Sequence, residues 1–275
     1  MSDKPEIAKS IKTGNFNTNY HDWGQGGFPA FFIHGSGPGV TAWANWRLIL
    51  PLVSKTRRVI APDMVGFGYT ERPEGIEYNM DTWVKQAIDL MDALDIEKTD
   101  LVGNSFGGAL AICLAVEHPE RVRKLVLMGS MGVDFPITYG LDHVWGYEPS
   151  FENMKNMLGL FAYSEALKND NALANLRYTA SIEPGFQEAF SAMFPAPRQR
   201  WVEAMARHEK DIPNIKNPTL IVHGREDKVI PVENSLKIFH MILDSQLHIF
   251  GKCGHWTQIE HAQEFGELVN DFFGE

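Results

Sequence analysis

Leu101-Val102-Gly103-Asn104-Ser105-Phe106-Gly107-Gly108-Ala109 decides how this chain is read. An apolar pair runs into a serine set among glycines, and the apolar, helix-like run Ala109 to Val116 follows. The spacing predicts strand, sharp turn and helix, with the serine at the turn. This is the G-x-S-x-G pattern of a nucleophile elbow, a strained turn that lifts a hydroxyl out of a sheet into a cleft. Gly103 and Gly107 suit it because β-carbons there would collide across so tight a bend. Five-residue patterns recur by chance, and a plain glycine-rich turn is spelled the same way. The rest of the chain separates the two.

A serine hydroxyl is a weak nucleophile until a base takes its proton, and the base needs a third group to orient it. Around such an elbow the acid and then the histidine come later in the chain. Leu220-Ile221-Val222 reads as a buried strand ending in His223-Gly224-Arg225-Glu226-Asp227. Gln246 to Phe250 reads as another, followed by Gly251-Lys252-Cys253-Gly254-His255-Trp256. Both candidates sit on loops after strands, and in open parallel sheets the ligand crevice lies outside the carboxyl ends of the strands. Of the ten histidines, only His255 is last in this order and on a glycine-flanked loop. His34 belongs to another loop, His223 precedes the acid, and His261 begins the last helix. His118 and His208 sit in polar contexts expected to be solvated. Asp227 is preferred to Glu226 as the acid by its spacing from the strand.

A fourth element, His34-Gly35-Ser36-Gly37-Pro38-Gly39, follows the strand-like Ala30-Phe31-Phe32-Ile33. Chemistry at a carbonyl builds up an oxyanion, which needs preorganised donors. One N–H is expected from the residue after the nucleophile, Phe106. The other is expected from this loop, at Ser36 or Gly37.

The 275 residues are 44% hydrophobic and 22% charged, enough for a sizeable core. Net charge is 25 − 35 = −10, which argues against a nucleic-acid partner. Two cysteines cannot make a disulfide framework. Cys113 is expected as a small core filler and Cys253 as loop packing, since Ser105 already fills the nucleophile's role. The opening Met1-Ser2-Asp3-Lys4-Pro5 lacks an apolar signal core. No apolar run approaches the roughly 18 residues of a membrane span. A cytoplasmic protein without a membrane partner is expected.

Residues 6–22 read as a hairpin turning near Thr13-Gly14. Strand signals recur at Ala30–Ile33, Arg58–Ala61, Leu101–Gly103, Leu125–Met128, Leu220–Val222 and Leu247–Phe250. Between several of them lie amphipathic helices. Asp81 is placed to cap one whose apolar stripe is Val84, Ile88, Met91 and Leu94; Phe265, Leu268, Val269 and Phe272 form another. Alternating strands and helices predict a mainly parallel α/β sheet. The alternation stops after Ser130. Residues 134–211 contain no convincing core strand but carry Met154, Met157, Leu158, Leu160, Phe161, Phe186, Phe190, Met193 and Phe194. We read them as a helical cap over the crevice, with 1–133 and 212–275 as the core. Gly66-Phe67-Gly68 does not continue as a dinucleotide loop, and no His/Cys/carboxylate cluster has metal-ligand spacing.

On these residues the chain resembles an α/β-hydrolase, and specifically the meta-cleavage product hydrolases, which cleave a carbon–carbon bond in the ring-fission product of a catechol. The likeness covers nearly the whole length. It is carried by His34 to Gly39, Trp43-Ala44-Asn45-Trp46, Ala61 to Gly68, Gly103 to Gly108, His223 to Asp227 and Cys253-Gly254-His255-Trp256. Val144-Trp145-Gly146-Tyr147 and Phe194 to Trp201 look like the monocyclic branch, the 2-hydroxymuconic semialdehyde hydrolases.

The resemblance implies a dienoate substrate, no cofactor, no metal, and a homo-oligomer, a dimer or higher. A buried cation must hold the substrate carboxylate. Arg177 matches the family's carboxylate-binding arginine, with Arg198 and Arg200 as lesser candidates. Asn45, Asn104 and Trp256 match positions at the polar end of the pocket. Trp145, Phe161 and the pair Val229-Ile230 are expected to close its distal end. The implied course is ketonisation of the dienol, addition of water to the distal carbonyl, and C–C cleavage to 2-hydroxypenta-2,4-dienoate and a small carboxylic acid. His255 moves the protons and Asp227 orients it; an acyl-enzyme on Ser105 and direct attack by water both remain open. A carboxylesterase would share the triad without needing Arg177. Dehalogenases and epoxide hydrolases of this fold place an aspartate at the elbow, against Ser105, and a non-catalytic receptor would bind without turnover.

Overall fold

The computed structural model describes residues 4–274; Met1-Ser2-Asp3, part of the opening read for a signal core, lies outside them. Among the described residues eight strands form one sheet: β1 (Lys9–Thr13), β2 (Phe16–Trp23), β3 (Ala30–Ile33), β4 (Val59–Pro62), β5 (Thr99–Asn104), β6 (Val122–Met128), β7 (Thr219–Gly224) and β8 (Ser245–Phe250). Their order is β1-β2-β4-β3-β5-β6-β7-β8. The β1–β2 hairpin and its junction with β4 are antiparallel, and every other pairing is parallel. This is the mainly parallel sheet expected from the alternation of strand and helix, in the α/β-hydrolase arrangement that the resemblance implies. The chain leaves β3 toward one edge and β5 toward the other. That reversal opens a crevice at their carboxyl ends, where His34–Gly39 and Ser105 lie.

Successive strand residues point to opposite faces, so one strand feeds two cores. Phe31, Ile33, Leu101 and Ile221 join the larger apolar cluster. Phe32, Val102 and Val222 join the other, closed by Phe265, Val269 and Phe272 of the helix Ala262–Gly274. The helix Met80–Ala93 differs from expectation in its cap. Asn79, not Asp81, is the last extended residue, and its side chain accepts from the Thr82 N–H at 2.9 Å. Asp81 lies in the first turn and binds Arg207 instead.

Between β6 and β7 the described chain is helical, from Tyr139–Trp145 through Phe151–Phe161 and Asn171–Ser181 to Gln199–Met205. The apolar residues singled out there are buried, except Leu160, which is half-buried. Gly39 marks how closely this layer approaches the core. Its φ is +65°, and a β-carbon there would come within 2.6 Å of the Ser181 backbone nitrogen.

Candidate active site

Ser105 sits between β5 and the buried helix Phe106–Glu117 with φ 55° and ψ −113°. A side chain held in that region stores on the order of 1–3 kcal/mol of strain. The bend is closed by glycine: a β-carbon on Gly107 would lie 2.3 Å from the Ile33 carbonyl oxygen, and one on Gly103 2.3 Å from that of Gly107. Phe106 opens the helix, where backbone N–H groups have no partner within the helix. Its ring is packed into the core against Phe67 and Trp83, so its backbone N–H is the part left to serve as the expected donor.

His255 lies on the loop after β8, with Nδ1 2.7 Å from Oδ2 of Asp227. A carboxylate only accepts, so Nδ1 carries the proton and Nε2 keeps a lone pair. Both groups are buried. The backbone N–H groups of Val229 and Ile230 hold the other carboxylate oxygen at 2.7 and 3.0 Å. Burial pushes the Asp227 carboxyl up, but His255 and His223 outweigh it and hold it well below the usual carboxylate range. Glu226 faces away, toward Arg225 and the Cys253 N–H. Sequence reasoning set His223 aside, yet its Nε2 lies 3.3 Å from Asp227 Oδ2 and 3.0 Å from the Ile230 carbonyl oxygen, while Nδ1 faces the Ser235 hydroxyl at 2.6 Å. Both partners of Nε2 are acceptors, so this imidazole carries its proton there and braces the carboxylate. Its position four residues before Asp227 was the available signal.

The loop after β3 is organised by His34. Nδ1 donates to the Gly35 carbonyl at 2.8 Å, and Nε2 accepts the Met64 N–H at 3.0 Å. A trans peptide points its C=O and the next N–H in opposite directions. Fixing the Gly35 carbonyl toward His34 therefore turns the Ser36 N–H the other way. Ser36, Gly37, Asn45, Asn104, Ser105, Phe161, Arg177, His255 and Trp256 share one small cavity of about 30 Å³. Asn45 Oδ1 accepts weakly from the Gly35 N–H at 3.4 Å, while its buried Nδ2 has no partner. Asn104 Nδ2 donates to the Met128 carbonyl at 3.3 Å, so it also ties the elbow to β6.

Arg177, on the helix Asn171–Ser181, has its guanidinium carbon 5.7 Å over the Trp256 ring. Trp256 in turn stacks on Phe161 at 4.8 Å. Burial pushes the guanidinium down to about 10, aided by repulsion from Arg47 and opposed by Glu6. Arg198 and Arg200 stand elsewhere: Arg198 binds Asp142 and the Phe194 carbonyl, and Arg200 the Pro195 carbonyl. Trp145 stands next to the cavity: its indole N–H donates to the hydroxyl of Ser36, which lines it, at 3.0 Å, and its ring stacks on Phe194. Val144, with Leu141 and Val40, lines the wall. Val229 lines it too, whereas Ile230 belongs to the core. Pocket-facing aliphatics look like core aliphatics in a sequence, so these had no signal.

Away from the cavity, Cys113, Glu117 and His208 bring three potential ligand atoms within 4.8 Å of one another, a grouping that spacing did not reveal. His208 is also less solvated than expected, bonded to Glu117 and Asp211. Arg207 neutralises Glu117 there, and burial pushes the Cys113 thiol up to about 12. A neutral thiol beside a guanidinium is a poor metal ligand. Cys253 is also buried and pushed up to about 12.

A family model of the alpha/beta hydrolase fold matches residues 29–262. The chain is 60% identical over 273 residues to the 2-hydroxymuconate semialdehyde hydrolase of Pseudomonas sp. strain CF600, covering 99% of this chain and 96% of that one. It is 57% identical over 267 residues to a 2-hydroxy-6-oxo-2,4-heptadienoate hydrolase of Pseudomonas putida, covering 97% and 96%. Among solved structures, a mutant meta-cleavage product hydrolase from Pseudomonas fluorescens IP01, complexed with acetates, superimposes with a TM-score of 0.97 at 56% identity. It covers 98% of this chain and 99% of that one.

Proposed function

Because the chain belongs to the α/β-hydrolase family and, within it, to the meta-cleavage product hydrolases, we propose that it hydrolyses a C–C bond in 2-hydroxy-6-oxo-2,4-dienoates of the 2-hydroxymuconic semialdehyde type. The products are 2-hydroxypenta-2,4-dienoate and a small carboxylic acid. One observation carries the reading: a single cavity joins Ser105 and His255 to Arg177, a cation whose contact is an aromatic face. A simple ester would leave that cation unused. A dienoate carboxylate takes two of its N–H groups in parallel.

In this reading Arg177 and the unpartnered Nδ2 of Asn45 hold the carboxylate end. The 2-hydroxyl proton moves to C5 as the dienol becomes its keto tautomer. Water then adds across the C6 carbonyl with Ser105 at the reacting carbon, and the C5–C6 pair of electrons leaves through the C3=C4 bond onto the C2 ketone oxygen, which takes up a proton to become the dienol again while the hydroxyl stays on C6 as the acid. His255 Nε2 accepts and returns the protons. The backbone N–H groups of Phe106 and of Ser36 or Gly37 face the developing oxyanion. Incubation with the ring-fission product of catechol tests this. Loss of the dienoate with one small acid formed per turnover is expected, and ester hydrolysis without dienoate turnover would overturn it.

We also infer a homo-oligomer in the cytoplasm. β8 is a sheet edge with Ile249 exposed, and Leu243 just before it is 96% exposed, a pairing hazard unless covered. Among the described residues no helix is long and apolar enough to cross a membrane.

A further inference from the structure

Arg177 borders two spaces. On one side is the cavity with Ser105; on the other is a chamber of about 460 Å³, whose walls include Trp43, Arg47, Tyr69, Leu176 and Phe186. The same short stretch of chain divides them, since Val40 faces the inner cavity while Gly39 and Thr41 face the outer chamber. The helix Ala42–Trp46 likewise serves both, sending Asn45 inward and Trp43 outward, with Arg47 just after it. The inner cavity, about 30 Å³ in this state, holds little more than one water. The outer chamber is the roomier of the two for an arriving dienoate.

What arrives there is an anion, and the protein it approaches carries a net charge of −10. Arg47 supplies the local opposite sign beside the inner cavity, while Lys4, on the same wall, is paired with Glu183. It is half-buried, and its Nη1 donates to the Ala44 carbonyl at 2.8 Å. Glu6, on the same wall, is the acidic group that acts on both Arg47 and Arg177. Two guanidiniums in series, the outer near solvent and the inner at the reacting site, form a path down which a carboxylate moves without losing a cationic partner. The aromatic walls give the diene a surface to lie on.

We propose that this outer chamber is the substrate's first binding position and that Arg47 captures its carboxylate before passing it to Arg177. The inference rests on the dienoate reading above. It is tested by stopped-flow binding of the catechol ring-fission product to the Ser105→Ala protein, with Arg47→Gln or Arg177→Gln added. Arg47→Gln should slow association at least about fivefold at low salt, leave dissociation within about twofold, and lose most of its effect near 0.5 M salt, where exposed charges are screened. Glu6→Gln should speed association. Arg177→Gln should act mainly on dissociation. With Ser105 intact, Arg47→Gln should lose much less on an uncharged ester than on the dienoate, compared as kcat/KM. Unchanged association in Arg47→Gln, a deficit that salt does not reduce, or an equal loss on the neutral ester overturns the proposal. Faster dissociation in Arg177→Gln with no effect of Arg47→Gln would leave the inner site standing and remove only the antechamber. The converse pair of results would do the opposite.

Discussion

The indole N–H of Trp145 donates to the hydroxyl of Ser36 across 3.0 Å, joining the helix Tyr139–Trp145 to the loop expected to face the reacting carbonyl. This bond fixes the side chain of Ser36, one of the residues expected to supply an oxyanion donor. Trp145→Phe keeps the stacking on Phe194 and removes only the hydrogen bond, so about 1 kcal/mol of stability should be lost. Ser36→Ala should cost more, because the buried N–H is left unpaired. The double mutant should recover part of that cost, with a coupling near 1 kcal/mol in urea unfolding. Strict additivity would show that the two residues do not act together.

Ser105→Ala and His255→Ala should each abolish dienoate turnover, and the double mutant should be little worse than either, because residues acting as a unit are non-additive. Ser105→Gly should be equally inactive yet more stable by about 1 kcal/mol, since glycine adopts the strained backbone at φ 55° freely. Near-normal cleavage by Ser105→Ala, measured as steady-state loss of dienoate absorbance, would remove the serine from the chemistry.

Arg177→Gln should weaken kcat/KM for the dienoate by about 1.5–3 kcal/mol, the scale of a charge-assisted hydrogen bond. Hydrolysis of a small uncharged ester should barely change. An equal loss on both substrates would make Arg177 a support for the helix Asn171–Ser181. Arg198 and Arg200 are already engaged with Asp142 and the Pro195 carbonyl.

Burial pushes the His34 imidazole down to about 4, against roughly 6.5 in an unfolded chain. The unfolded chain therefore takes up its proton first as the pH falls. The stability that neutral His34 contributes is complete above about pH 6.5 and is lost as the pH drops toward 4, by as much as about 3 kcal/mol. His34→Asn should be less stable than the parent at pH 8 but lose less on acidification to pH 5. His21, pushed down to about 4 by burial as well, adds to the slope that remains, and Asp63, pushed up to about 6 by burial, opposes it. Parallel unfolding curves for the two proteins at both pH values would contradict this.

Leu141, Val144, Phe161 and Val229 crowd the cavity wall. A phenyl group on the cleaved carbonyl overfills such a space at a cost of roughly 1–3 kcal/mol. Each buried methylene returns only about 0.8 kcal/mol, so strain wins once the space is full. Phenyl dienoate should be cleaved at least about tens of fold less efficiently than the hydrogen or methyl compounds, compared as kcat/KM. Val229→Ala should narrow the gap. Comparable efficiency without any mutation would mean that the wall yields.

The elements that carry chemistry were readable along the chain because each has local causes. An elbow needs glycines at fixed offsets from Ser105; an acid and a base need loops after strands, which Asp227 and His255 occupy. Strand and helix periods settled a mainly parallel sheet. Only the tertiary structure decided which side chains meet. His223 reaches Asp227 because β7 ends just where the loop folds back, and its place four residues before Asp227 is the one local sign of that contact. Trp145 faces Ser36 and Val144 faces the cavity because the helix Tyr139–Trp145 docks in one rotation, fixed by Phe194 and by the loop beneath it. Asn79 rather than Asp81 caps its helix because the cap belongs to the last extended residue, a property of backbone angles. Local rules write the motifs, and packing between distant segments assigns the neighbours.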